Sequence, residues 1–421
     1  MGKSPLILAA LAKGAAPGLN IVKVQKNAML ANKDFDGALL TSDEGKHFIV
    51  RIAKNATAET NQEAELRALK ALVKNGSLPF SVTSQLASTM TRDGELVRVL
   101  TYVYGSPFDL AELNADDPLV ESTAKALAAI HNLPLSLVQD IDFPEYTASN
   151  ILKSAAAELD RAIETGKVPS VMLNRWEAAL GNDTLFRFMP TVVNGLLGPE
   201  SVLELDGQIS GVLDWMDLQI GDPARDFGWI LARGHDDLVY NLMLAYQQAR
   251  PAADDNIRQR AQFYSELAWA NYLVSAVNSN NEHDILDAQG ELEILAAQVE
   301  AGTAMRLTPT AFASQTAAPS MAFASNYAES GRADEVTSFA EPAEQIYSST
   351  NFDRPLVDFA PAQYVSEPVT NFDDTATAPI DIVTAEPTSA KTTALPPFLA
   401  SDLPDFLIDE EEGKNAKDEL F

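Results

Sequence analysis

The sequence contains no cysteine and only four histidines. Without cysteine there can be no disulfide framework, no thiolate zinc site and no cysteine nucleophile, which fits a cytoplasmic chain. The histidines, His47, His131, His235 and His283, are scattered without the paired spacing of a metal motif. His131, on an apolar helical stretch, reads as a structural residue. Positive charge is scarce as well: 30 Lys and Arg stand against 60 Asp and Glu, a formal net charge of -30. Phosphate backbones would be repelled, which argues against a nucleic-acid partner. No window reaches the roughly 18 apolar residues of a membrane-crossing helix, so no membrane partner is expected. The apolar run at 6–11, behind Lys3, superficially suggests a secretion signal, but about six residues is short for the hydrophobic core of one. Nucleophile elbow, Walker loop and dinucleotide glycine fingerprint are missing too.

What is present divides into three parts, where 421 residues lead one to expect two or three units. Residues 1–104 read as strands plus one helix. A β-rich run at 47–52 follows the turn Asp43-Glu44-Gly45, and a second, interrupted by Arg98, spans 96–103. Between them Leu66, Leu69 and Leu72 recur at helical spacing over 63–73. Residues 105–304 are mostly helical, with helical patterns over 120–130, 151–164, 171–180, 238–249, 256–277 and 283–300. Short strand-like pieces at 190–193, 201–205 and 208–214 interrupt them. All four tryptophans, Trp176, Trp215, Trp229 and Trp269, fall in this part and mark the expected main core.

From 305 to 421 the composition turns to Ala, Thr, Ser, Pro and acid, with roughly 20 carboxylates against about 6 basic residues. Such a segment buries too little apolar surface to offset chain entropy and is expected to be a disordered acidic tail. It holds two faint repeats. Thr350-Asn351-Phe352-Asp353 recurs as Thr370-Asn371-Phe372-Asp373, and Leu395-Pro396-Pro397-Phe398-Leu399 recurs as Leu403-Pro404-Asp405-Phe406-Leu407. Phe352, Phe372, Phe398 and Phe406 in an acidic background suit docking onto a protein partner; a solvated spacer is the alternative. Lys417-Asp418-Glu419-Leu420 is followed by Phe421 and so is no retention signal.

The most informative string is Gln208-Ile209-Ser210-Gly211-Val212-Leu213-Asp214-Trp215, followed by Gly221-Asp222-Pro223-Ala224-Arg225-Asp226-Phe227. An apolar strand ending in an acid sets a carboxylate at the mouth of a cleft, where a cation bridging phosphates would need an oxygen ligand. On spacing alone, a hairpin ending in an N-capping aspartate fits equally well.

The string from Gly211 to Phe227 resembles the aminoglycoside and macrolide phosphotransferase family. There an acid sits in a Gly-Val-Ile-Asp-Trp run, followed by Gly-Asp-Pro and a later Asp. Other segments are similar in the same order: Ala124-Lys125-Ala126-Leu127-Ala128-Ala129-Ile130-His131-Asn132-Leu133-Pro134, Arg175-Trp176 ahead of Phe188-Met189-Pro190, and the stretch 263–273, which looks like a late helix of the macrolide branch. The resemblance covers roughly residues 5–304. It implies an α+β, bilobal, protein-kinase-like fold, with ATP or GTP and magnesium as the cofactors an active member would use. It further implies Asp214 as the magnesium-holding acid, Asp226 as a buried acid bracing the catalytic loop, and Arg51 as the phosphate contact paired with Glu65. Tyr102 and Val103 would lie in the hinge that meets a nucleobase, with Gly105 opening the second lobe.

The departure from the family matters more. Its active members carry His-Gly-Asp-Leu-His-Pro-Gly-Asn, whose Asp orients the substrate hydroxyl and whose Asn helps hold metal. This chain has Asn194-Gly195-Leu196-Leu197-Gly198-Pro199-Glu200-Ser201 in that place. Leu196 can neither accept a proton nor bind a cation, and Ser201 offers only a neutral ligand. Loss of a positioned base costs about 100- to 10,000-fold in rate. Glu200 and Asp217 are the acids near enough in sequence to substitute. The turn Lys26-Asn27-Ala28-Met29-Leu30-Ala31-Asn32 also lacks the glycine that favours close backbone approach to phosphate, so weak nucleotide affinity, or no cofactor at all, is the alternative. Three readings stay open: a pseudokinase with a binding or regulatory role, a slow or divergent phosphotransferase acting on a small-molecule hydroxyl, and a structural platform presenting the tail.

Overall fold

The computed structural model describes residues 2–27, 30–195 and 197–307. Ala28, Met29, Leu196 and the tail from 308, with Phe352, Phe372, Phe398 and Phe406, lie outside the described residues.

Side-chain alternation along strands builds the first unit. In β3 (His47–Ala53) and β5 (Leu96–Thr101), Val50, Ile52, Val97 and Val99 are buried on one face. Arg51 and Arg98 stand opposite each other across the antiparallel ladder on the other face. Strands β1 (Ile21–Gln25), β2 (Phe35–Ser42) and β4 (Gln85–Met90) complete a five-stranded antiparallel sheet in the order β1-β2-β3-β5-β4.

A helix that the sequence patterns did not suggest covers the apolar face. The run at 6–11 belongs to α1 (Pro5–Ala15), started by Ser4 and Pro5, and its Leu8, Ala9, Leu11 and Ala12 pack against Val24, Leu40, Val50 and Val97. Eleven residues with an apolar face need a partner surface, and the sheet supplies it. Against the opposite face lies α2 (Ala56–Asn75), capped by the Asn55 side chain and ended by Gly76 at φ 66°. Its Leu66, Leu69 and Leu72 join Leu100 in the main core.

The second part contains α3 (Pro118–His131), α4 (Ser136–Gln139), α5 (Ala148–Glu164), α6 (Ser170–Leu180), α7 (Gly228–Arg233), α8 (Asp236–Ala249), α9 (Ile257–Asn278) and α10 (Glu282–Glu300). Trp215 and Trp229 are buried in one core with α3 and α8, whereas Trp176 is buried in another with α5, α9 and α10. Trp269 is only half-buried at the edge of the second. Leu307 is buried there too, three residues past the boundary expected from composition.

Two short ladders pass between the helices: β6 (Thr191–Val193) with β9 (Gln219–Gly221), and β7 (Val202–Leu205) with β8 (Gln208–Val212). The β7–β8 hairpin is fastened to the chain leaving β5. Ser106 and Glu204 exchange two backbone hydrogen bonds of 2.9 Å. At Gly211 an added Cβ would lie 2.2 Å from Val103 Cγ1, so only glycine allows this approach.

Candidate functional site

Strand β6 delivers Asn194 and Gly195, and β8 delivers Asp214; a buried acid fixes the first pair. Asp226 lies in the 3-10 turn Pro223–Phe227 and is inaccessible to solvent. Its carboxylate accepts from the backbone N–H of Asn194 at 2.9 Å, from that of Gly195 at 2.8 Å and from His131 Nε2 at 3.1 Å. His131 Nδ1 in turn meets the Tyr246 hydroxyl at 2.7 Å. A buried carboxylate is strongly destabilising unless its lone pairs are met, and here three donors meet them. Gly195 has φ 84°, and an added Cβ would lie 2.5 Å from Gln219 Nε2 and 2.7 Å from the Asp217 carbonyl oxygen.

Asn194 ties this loop to the other wall. Its buried side-chain Nδ2 donates to the carbonyl oxygens of Leu213 (3.4 Å) and Asp214 (3.2 Å). Asp214 itself adopts φ 56°, a left-handed conformation costing an L-residue about 1–2 kcal/mol. Among the described residues, the other non-glycine positions with positive φ, Asp142, Asp206 and Asn280, lie in turns; Asp214 does not. The grip of Asn194 on its carbonyl and the buried Trp215, whose indole donates to the Val212 carbonyl at 2.9 Å, hold it there. Such local strain is found where a side chain must be aimed.

The rest of the loop points elsewhere. The Ser201 hydroxyl accepts from the Gly198 N–H at 2.9 Å and donates to the Gly198 carbonyl at 3.0 Å, so it closes its own turn. Glu200 is exposed. Among the described residues no three His, Asp or Glu side chains converge as a cation site.

On the sheet side Arg51 Nη2 donates to Glu65 at 3.1 Å, and the guanidinium lies 3.9 Å from the Phe35 ring centre. Its Nε is buried without a hydrogen-bond partner, as is that of Arg98 beside it. Burial lowers the pKa of Arg98; Glu63 and Glu59 oppose that shift, and the Arg51 charge adds to it. Val103 is buried and its backbone makes no hydrogen bond with another described residue. Tyr102 is half-buried and packs on His47 and Tyr104, with ring centres 5.8 Å and 5.1 Å away. Direct bonds thus unite Asn194, Asp214 and Asp226 in one group and Arg51 with Glu65 in another; Glu200 and the Ser201 hydroxyl bond to neither.

Two polar locks beside the site escaped sequence reasoning. Arg260, fully buried, donates to Asp222 from Nε (2.7 Å) and Nη2 (3.0 Å), to Asp254 (2.7 and 2.9 Å) and to the Leu185 carbonyl (3.0 Å). Asp222 also accepts from the Tyr264 hydroxyl at 2.9 Å. Glu266 receives Arg175 in a two-point grip (2.9 and 2.8 Å) and the Trp176 indole at 3.0 Å. Asp222 and Arg175-Trp176 stand inside the quoted strings, but nothing local marks Arg260 or Glu266 as their partners.

The model of the phosphotransferase enzyme family matches residues 31–264. A 120-residue stretch is 25% identical to the uncharacterized protein YcbJ of Bacillus subtilis (strain 168), covering 26% of this chain and 37% of that protein. The chain therefore spans little more than a third of the length of that curated relative. The solved structure of the macrolide 2'-phosphotransferase MphH apoenzyme from Brachybacterium faecium is similar at TM-score 0.58 and 18% identity, over 69% of this chain and 98% of that one. The GDP complex of wild-type aminoglycoside 2'-phosphotransferase-IIIa is similar at TM-score 0.57 and 15% identity, over 70% and 100%. At these identities the likeness is one of fold, the α+β kinase-like fold of such enzymes.

Proposed function

From the premise that this chain belongs to the phosphotransferase enzyme family, we propose that it is a pseudokinase of that family: a binding or regulatory module with a nucleotide cleft but no catalytic base. The observation that carries this reading is a mismatch inside one loop. The backbone of Asn194 and Gly195 is clamped by Asp226, and the Asn194 side chain is tied to the Asp214 backbone carbonyl, as a working site would need. Yet the positions that would do chemistry hold an aliphatic Leu196 and a Ser201 whose hydroxyl is engaged with Gly198. Phosphoryl transfer relies on an oriented acceptor and metal-neutralised charge, and a residual activity without the base would fall by about 100- to 10,000-fold. Exposed Glu200 is the substitute a slow enzyme would need.

The nucleotide part rests on three features. The Val103 backbone N–H and C=O make no hydrogen bond with another described residue, which leaves both unclaimed for a base edge. Arg51, fixed by Glu65, retains an unmet buried Nε for a phosphate oxygen. The relative solved with GDP has the same fold. Magnesium takes one or two carboxylates together with phosphate oxygens, and Asp214, with its strained and gripped backbone, fits a one-carboxylate contact. A bound ion would neutralise phosphate charge there. The lobe boundary at 104/105 belongs to the same proposal.

Calorimetric titration of ATP and of GTP with magnesium, beside the Asp214→Ala variant, tests this. Saturable heat lost in the variant supports the cleft. Silence in both proteins removes the nucleotide from the account, and ordinary turnover with a hydroxylated acceptor removes the pseudokinase.

A further inference from the structure

Charge is distributed unevenly along this acidic chain. Residues 1–104 hold 13 Lys and Arg against 9 Asp and Glu, residues 105–307 hold 12 against 31, and residues 308–421 hold 5 against 20. Only the first part is net positive, and α2 concentrates that charge at one end. Its first half carries Glu59, Glu63 and Glu65; its second half carries Arg67, Lys70 and Lys74. These three bases stand at i, i+3 and i+7, on one face of the helix, and all are exposed. Lys70 and Lys74 have no ion-pair partner among the described residues, and the Arg67 guanidinium sits 4.9 Å from the Phe143 ring centre. Cations near a helix C-terminus suit the macrodipole, which accounts for the charge but not for Val73, left 48% exposed between Lys70 and Lys74.

We infer that this ridge is the docking surface for residues 403–412 of the same chain. That segment reads Leu403-Pro404-Asp405-Phe406-Leu407-Ile408-Asp409-Glu410-Glu411-Glu412: apolar anchors followed by four consecutive acids. An exposed valine flanked by unpaired bases is complementary to it in both respects. The earlier copy, 395–399, has the anchors without the acid run and is an internal control. Reach imposes no limit. The 96 residues from Leu307 to Leu403 can extend up to about 3.5 Å each, against a radius of gyration of about 19 Å for a folded part of this size. Tethering at millimolar-order effective concentration lets a weak contact form. Because α2 also carries Glu65, the partner of Arg51, a bound tail would bear on the position of that pair.

The contact needs neither nucleotide nor turnover, so its test stands apart from the proposed function. The full-length protein is treated with a zero-length carbodiimide cross-linker at low salt and at two protein concentrations, and the joined peptides are identified by mass spectrometry. Links from 409–412 to Lys70 or Lys74 are expected at concentration-independent yield. They should fall several-fold in 0.5 M salt, and likewise in a Phe406→Ala/Leu407→Ala variant that keeps every acid. Links spread evenly over Lys125, Lys153 and Lys167 would overturn the inference. So would a yield that rises with concentration, which indicates a second copy, or a yield indifferent to the loss of both anchors.

Discussion

Two arginine–carboxylate sites in this molecule are built to different standards. Arg260 is sealed in the helical part, with Asp222, Asp254 and the Leu185 carbonyl taking its donors and the Phe188 ring centre 4.3 Å away. Arg51 lies on the sheet facing α2, holds Glu65 by a single bond, and keeps a buried Nε without a partner. A fully met guanidinium cements a fold, whereas an under-met one lowers stability unless something else completes it. The contrast assigns the first to architecture, and the unmet donor of the second is the feature on which the proposed phosphate contact rests.

The largest expected effect comes from breaking the sealed site. Removing one partner, as in Arg260→Ala or Asp222→Ala, strands a buried charge and should destabilise the chain by about 3–5 kcal/mol, read as a lower urea midpoint at unchanged slope. A smaller loss would mean that water already reaches the site.

A pH effect of intermediate size sharpens the same contrast. Burial foremost, and then the nearby Asp222 charge, raise the Tyr264 pKa well above its usual 10, and Tyr246 is raised chiefly by burial. A raised folded-state pKa contributes stability that is complete below the unfolded value and is lost as pH rises through the folded one. Thermal midpoints should therefore hold up to about pH 10 and fall above it, and Tyr264→Phe should flatten part of that fall. An unchanged alkaline limb in the variant would detach Tyr264 from the lock. The smallest stability effect should follow Glu65→Ala, at about 1–3 kcal/mol, while nucleotide affinity falls about tenfold or more by calorimetry. Equal affinity would leave the Arg51 pair merely structural.

Much of the fold was legible because its signals are local. Leucines at helical spacing marked α2, and the apolar run ending at Asp214 marked β8. The acids at 214 and 226 stand in one short string, and Asn194 meets the Asp226 carboxylate and the Asp214 backbone carbonyl. What escaped was non-local. α1 reads as a bare apolar run until a sheet is there to receive it. Arg260 meets Asp222 from 38 residues away in sequence, with no periodic pattern to announce it. Asn194 is visible as a departure from the family motif, but its grip on the Asp214 carbonyl is not, since that depends on a backbone bend no residue type signals.

The central claim is that a framework fit for phosphoryl transfer lacks an oxygen anion at position 196. It is tested most directly by measuring nucleotide hydrolysis and transfer by the natural chain beside Leu196→Asp/Ser201→Asn. The expected result is negligible turnover in the natural chain and at least a 100-fold rise in the variant, the lower bound for a positioned base. A natural chain already working at about 1–100 s⁻¹, as ordinary kinases do, would contradict it.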